Sequence, residues 1–159
     1  MAITIAVESP LQDEVRTLIA ELNAVLLTLS PPEACYHLTV EEMAEPTVTV
    51  WIARDGDTII GCGALKRHFE TVGEVKRMFT RPTVRGQRVG SALLEAITAL
   101  AKAKGVTRLV LETGAGEAFA DAYRLYERSG FTRCGVLLDY PDSEHSAFYE
   151  KWLAIAPAQ

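Results

Sequence analysis

Between Glu74 and Glu95 the chain carries no Asp or Glu, yet it places Lys76, Arg77, Arg81, Arg85 and Arg88 there, five of its 16 Lys and Arg residues. The formal net charge of the whole chain is −5, so this run of cations points to a local anion site and not to a generally basic surface. The segment Arg85-Gly86-Gln87-Arg88-Val89-Gly90-Ser91 ends a stretch of strand character and opens one of helical spacing. The first amides of a helix lack intrahelical acceptors and lie at the positive end of its dipole, which suits phosphate oxygens. Gly86 and Gly90 let the backbone approach a ligand closely, and Arg85 and Arg88 can add charge-assisted bonds. An ordinary strand-to-helix turn with a solvated basic rim has the same composition. Two well-known phosphate loops do not fit. A Walker A loop needs lysine after its last glycine, but Ser91 and Ala92 follow Gly90. No G-x-G-x-x-G follows a first strand.

The elements that must position this loop can be traced along the chain. Ile3, Ile5 and Val7 alternate as in a short strand. Ser9, Pro10 and Gln12 read as a helix start, with Ser9 capping, Pro10 at the first helical position and Gln12 completing a capping box. Leu11, Val15, Leu18, Leu22, Val25 and Leu29 then recur at helical spacing, and Ser30-Pro31-Pro32 stops the helix. A brief second helix is expected over 40–44. Three strands follow, 47–54, 58–69 and 72–80, as an antiparallel meander, with a turn at Gly56 and with Gly61 and Gly63 marking a bulge or close approach. Val89 to Ala101 has helical spacing and ends at Gly105. A buried strand over 106–112, a helix over 119–128 and two last strands over 131–135 and 145–152 complete the order, with a frayed tail over 154–159. The expected fold is α/β (α+β): a mixed, mostly antiparallel sheet of six to seven strands flanked by about four helices, in one domain spanning 1–159.

A chain of 159 residues, 48% hydrophobic and 23% charged, has the composition of a soluble globular protein. Its acidity argues against non-specific nucleic-acid or anionic-membrane partners. Cys35, Cys62 and Cys134 are odd in number and form no C-x-x-C, and His37, His68 and His145 have no ligand spacing, so no disulfide framework and no metal are expected. The N-terminus has no signal-peptide pattern and no run reaches membrane length, so the expected location is cytoplasmic.

The segment 85–90 resembles the [QR]-x-x-G-x-[GA] signature of the GNAT superfamily of acyl-CoA-dependent N-acyltransferases, with Pro82 just upstream and Arg88 standing where the first motif glycine usually sits. Glu74-Val-Lys-Arg-Met-Phe-Thr80 looks like the central strand of that family. Ala122 to Phe131 looks like its late helix and following strand, A-x-x-L-Y-x-x-x-G-F. The resemblance implies a sheet that splays after its fourth strand, with the pantetheine arm of acetyl-CoA in the gap. It implies that Arg85, Gly86, Gln87, Arg88, Val89, Gly90 and Ser91 hold the pyrophosphate. The backbone of Met78, Phe79 and Thr80 would pair with pantetheine.

Acyl transfer needs a neutral amine, a donor for the oxyanion and a proton for the leaving thiolate. By the resemblance, Tyr126 is the acid that protonates the sulfur; a phenol is protonated at neutral pH. Tyr123, one turn earlier, is the fallback acid and a further cofactor contact. Glu74 is the candidate base, if burial raises its pKa; a salt bridge to the neighbouring cations would lower it instead.

The loop 29–37 resembles a Pro-Pro-Glu…His stretch in bacterial members of the family that act on small amines or amino acids. Tyr36 and His37 could line an acceptor pocket, and Arg77 could bind a substrate carboxylate. Strand alternation puts Arg77 opposite Glu74 unless a bulge shifts the phase. The acidic turn 139–144 would suit a polyamine or lysine side chain, or is simply solvated. The expected activity is transfer of acetyl from acetyl-CoA to the primary amine of a small molecule, amino acid or polyamine-like, by direct attack in a ternary complex. The alternatives are a protein lysine or N-terminal acetyltransferase and a non-catalytic acyl-CoA sensor. A homodimer is also expected from the resemblance.

Overall fold

The computed structural model describes residues 2–154. The seven strands are β1 (Ile3–Val7), β2 (Val48–Asp55), β3 (Thr58–Phe69), β4 (Val72–Thr80), β5 (Arg108–Gly114), β6 (Thr132–Cys134) and β7 (Ser146–Trp152). They form one sheet in the order β1-β2-β3-β4-β5-β7-β6. The four α-helices are α1 (Asp13–Leu29), α2 (Val40–Met43), α3 (Val89–Ala103) and α4 (Ala120–Arg128). Element order and meander agree with the expectation from the sequence. Of the tail expected over 154–159, all but Ala154 lies outside the described residues.

The central strands β2, β3 and β5 are buried on both faces, which is why they read as apolar runs rather than clean alternations. On β2, Val50 and Ile52 face Val15, Leu18, Ile19 and Leu22 of α1. Their neighbours Trp51 and Ala53 face Leu93, Leu94 and Ile97 of α3 and Tyr126 of α4. Each fully buried aliphatic side chain on these faces contributes roughly 1.5–3 kcal/mol relative to exposure.

Helix α1 begins later than the sequence suggests. Ser9 does not cap it; the N-cap position is Gln12, which makes no side-chain capping bond. The Gln12 amide instead turns back to the Ser9 carbonyl (2.7 Å) and to Glu8 (3.1 Å). Glu8 is itself held by a forked ion pair to Arg54 of β2. Residues 8–12 are thereby tied to the sheet, and Asp13 and Glu14 supply the first-turn acids that favour the helix start. Helix α2 is short but fully capped, with Thr39 and Glu42 forming a reciprocal box.

Two departures from regular sheet geometry shape the site. First, β4 is bulged. Cys62 pairs Phe79 and Ala64 pairs Lys76, so Arg77 and Met78 together face Gly63. Arg77 takes φ 56°, a left-handed conformation costly for a side-chain-bearing residue. Gly61 and Gly63 are required opposite the bulge. A Cβ on Gly63 would fall 2.6 Å from the Met78 sulfur, and one on Gly61 2.8 Å from the Phe79 carbonyl oxygen. Second, β4 and β5 run parallel and pair only at Val72–Arg108, Gly73–Leu109 and Glu74–Val110. Beyond Glu74 they separate. The edge of β4 from Val75 onward and the edge of β5 from Leu111 onward therefore border a gap in the sheet.

Candidate active site

Two adjoining cavities occupy this gap. The larger, about 600 Å³, runs from the loop before α3 along Met78, Phe79 and Thr80 of β4 to Tyr126 of α4, with Leu22, Val25 and Leu26 of α1 on its other wall. The smaller, about 120 Å³, lies between the end of α1, the loop 34–37, β4 and β5, and is lined by Tyr36, His37, Arg77, Glu112 and Tyr126. Leu22, Leu26, Met78, Phe119 and Tyr126 line both.

At the mouth of the large cleft, α3 is capped by Arg88 with φ 61° and ψ 25°. The arginine thus holds the left-handed angle for which a glycine is the ordinary residue. The first helix-type bond is donated by Ala92 to the Arg88 carbonyl (3.0 Å), which leaves the Val89, Gly90 and Ser91 amides without intrahelical acceptors. Arg85, Gly86, Arg88, Val89, Gly90 and Ser91 all line the cleft. Gln87 does not; its amide donates to the Val84 carbonyl (3.2 Å). Gly90 is packed against Leu125, which would lie 3.1 Å from a Cβ there, so this glycine seats α4 on α3. The open amides, the exposed Arg85 and Arg88 and the length of the cleft fit a pyrophosphate with a long arm.

The cation run is more divided than its sequence suggests. Arg81 is spent on Glu21 (2.7 Å) and the Ile59 carbonyl (2.6 Å). Lys76 donates to the Tyr36 carbonyl (3.1 Å) and the Tyr140 hydroxyl (2.8 Å). Arg85 and Arg88 alone of the five remain at the cleft; Arg124 and Arg128 of α4 join them from the opposite wall.

Tyr126 is 7% exposed and stands where the two cavities meet. Burial, and then the nearby charge of Glu112, push its phenol well above the ordinary tyrosine range, so the proton stays on oxygen at neutral pH. Tyr123 is placed differently. Its hydroxyl donates to the Gly114 carbonyl (3.1 Å) and accepts from the Gly116 amide (2.8 Å), and it lines neither cavity. It braces the turn after β5, outside both cavities, where the resemblance had placed a fallback acid and cofactor contact.

Glu74 also departs from its expected role. It is 2% exposed, lines neither cavity, and has both oxygens occupied. His68 Nε2 meets Oε1 at 2.7 Å, while Oε2 accepts from the Tyr140 hydroxyl and from Lys76 (3.4 Å). Burial pushes its pKa up, but the His68 bond, the Lys76 charge and the Tyr140 bond outweigh it, and the carboxyl sits below its ordinary range. Glu74 thus ties together β3, β4 and the loop before β7. The same network explains the turn 139–144: Tyr140 points inward, while Asp139, Asp142 and Glu144 are exposed and line neither cavity.

The expected acceptor residues do converge. Tyr36, His37 and Arg77 line the small cavity, and the bulge brings Arg77 round to Asn23 of α1, whose side-chain oxygen accepts from its guanidinium. His37 is kept neutral by burial and by the Arg77 and Lys76 charges, which lower its pKa. The residue that sequence reasoning missed is Glu112. It follows the buried apolar run Leu109–Leu111 of β5, two residues beyond the last β4–β5 pairing. A polar residue at the C-terminal end of a buried strand is a place where open α/β sheets put ligand contacts, and that signal was present in the sequence.

Comparisons with known proteins agree with this architecture. Residues 46–133 match the acetyltransferase (GNAT) domain family. The chain is 43% identical over 150 residues to an IAA acetyltransferase of Azospirillum brasilense, covering 94% of this chain and 97% of that one. A crystal structure described as an acyl-CoA N-acyltransferase of Klebsiella pneumoniae superposes with a TM-score of 0.79 at 33% identity, covering 96% of this chain and 98% of that one. An aminoglycoside 6'-N-acetyltransferase solved with coenzyme A shares the fold, with a TM-score of 0.73 at 15% identity over 98% and 99% of the two chains. The chain belongs to the GNAT acetyltransferases. It is an enzyme of the N-acetyltransferase class.

Proposed function

We propose that the protein transfers the acetyl group of acetyl-CoA to the primary amine of a small molecule by direct attack in a ternary complex. The observation that carries this reading is the position of Tyr126 at the junction of a long cleft and a small, side-chain-lined cavity. The pyrophosphate is held by the open amides at the start of α3 with Arg85 and Arg88. The arm follows the free edge of β4 at Met78–Thr80, and the thioester comes to the junction. The acceptor enters from the small cavity. Its nitrogen attacks the carbonyl carbon, the new C–N bond forms as nitrogen gives up a proton, and the C–S bond breaks. The departing sulfur takes the Tyr126 proton, and the phenolate regains one from solvent.

The small cavity, closed by the loop 34–37, favours a small acceptor over a segment of polypeptide. The relative in Azospirillum brasilense is likewise named for IAA.

Calorimetric titration tests the donor assignment. Acetyl-CoA and desulfo-CoA are expected to bind saturably and ATP is not. Arg85→Glu should weaken acetyl-CoA binding by roughly 1–3 kcal/mol, as expected for lost charge-assisted bonds plus repulsion. Equal binding of ATP, or an unchanged affinity in Arg85→Glu, would remove the pyrophosphate assignment.

A further inference from the structure

We propose that the acceptor is an amino acid, with its carboxylate held by Arg77 and its amine presented to Glu112, the general base. The proposal rests on the acetyl-transfer reading above and names its substrate class.

Arg77 is a cation the fold has buried without a counter-charge. It is 6% exposed, and no carboxylate lies within ion-pairing distance of it among the described residues. Its guanidinium donates to the neutral Asn23 side chain, and Nε is buried with no partner. Burial lowers its pKa to about 10, so it still carries its charge at neutral pH. A buried, incompletely bonded charge is costly. Here it is held by a left-handed residue in a bulge, a second unfavourable feature. The unmatched charge is relieved if an anion enters the cavity that Arg77 lines, and a carboxylate matches the fork of a guanidinium.

Glu112 is the carboxylate of that cavity. Its Oε2 accepts from Ser146 (2.7 Å), and Oε1 makes no hydrogen bond among the described residues. Glu112 lines the small cavity together with Tyr126, Arg77 and Cys35 of the acceptor loop. Burial raises its pKa, which moves a carboxyl toward the range useful for proton abstraction. In the reaction an ammonium gives one proton to the Glu112 carboxylate and the resulting amine attacks. The proton lost on C–N formation goes to solvent through the open cleft.

The geometry disfavours a polyamine. A second ammonium would meet Arg77, and the acidic residues that could attract one, Asp139, Asp142 and Glu144, lie outside the cavity. The small cavity, about 120 Å³, suits a short amino acid better than a long polyamine.

The test uses the intact protein with acetyl-CoA and reads thiol release. The acceptors are the proteinogenic α-amino acids, each paired with its carboxamide, together with spermidine. For the amino acid turned over fastest, kcat/KM should exceed that of its carboxamide by about tenfold or more, the worth of a charge-assisted bond. The ratio should fall close to one in Arg77→Met and be partly kept in Arg77→Lys. Carboxamides or spermidine acetylated as well as the acids would overturn the proposal while leaving acetyl transfer intact. So would a ratio unchanged in Arg77→Met. Acetyl-CoA binding without thiol release to any of the three sets would instead strike the acetyl-transfer reading, and this proposal with it. If Arg77→Met does not fold, the wild-type ratio decides.

Discussion

Glu74 and Glu112 make an instructive pair. Both are carboxylates in the interior of one sheet, on neighbouring strands, and they flank the point where those strands part. Glu74 pairs with Val110 at the last rung; Glu112 lies two residues past it. Glu74 receives His68, Lys76 and Tyr140 and is held below its ordinary pKa. Glu112 receives Ser146 and is pushed above it, burial being the largest cause. Burial is common to both, so burial alone does not make a base. What separates them is how many charge-stabilising partners the fold supplies, and whether a free oxygen reaches a cavity. The cations repeat the lesson: Arg81 is matched by Glu21, whereas Arg77 has no such partner among the described residues.

Exchanging each carboxylate for its amide sharpens the contrast. Glu112→Gln should lower kcat/KM by roughly 10²-fold or more, the usual worth of a positioned base, with little change in Tm, since glutamine can still accept from Ser146. A modest loss of activity would make the two glutamates equivalent and break the comparison. Glu74→Gln should do the reverse, leaving turnover of the folded enzyme intact and destabilising it by roughly 3 kcal/mol, as when one partner of a buried pair is removed.

The smallest expected effect lies in the pH dependence of melting, where the two should have opposite signs. Glu74, with its pKa depressed, contributes stability that is present above the ordinary 4.5 and lost as pH falls through its folded value. The Tm deficit of Glu74→Gln should therefore shrink on acidification below that point. Glu112, with its pKa raised, favours folding below 4.5 and loses that contribution as pH rises through its higher folded value. The Tm of Glu112→Gln relative to wild type should climb over that interval.

Much of the fold was legible because its determinants are local. Strand 58–69 was bounded by the turn at Gly56, strand 72–80 opened at Val72-Gly73, and the start of α3 was marked by its glycines and apolar period. The α1 start was misread because Glu8–Arg54, a pairing 46 residues apart in sequence, decides what residues 8–12 do. The resemblance drew attention to Tyr126 and to the loop 85–90, which line the cleft except for Gln87, and Tyr36, His37 and Arg77 line the small cavity expected of them. The division of labour between glutamates was not, since it depends on His68 and Tyr140 reaching Glu74 and on the strands parting before Glu112. The different placement of Tyr123 and Tyr126 is likewise tertiary. Both lie on similar faces of α4, but the turn at Gly114–Gly116 claims one hydroxyl and the cavity junction receives the other.

The central claim is that acetyl transfer occurs where the two cavities meet, with Tyr126 supplying the proton to sulfur. The most direct measurement is Tyr126→Phe, with acetyl-CoA affinity by calorimetry and single-turnover thiol release in parallel. The account predicts near-wild-type affinity and thiol release slowed by roughly 10²-fold or more. Unimpaired release at unchanged affinity would contradict it and place the chemistry elsewhere in the cleft.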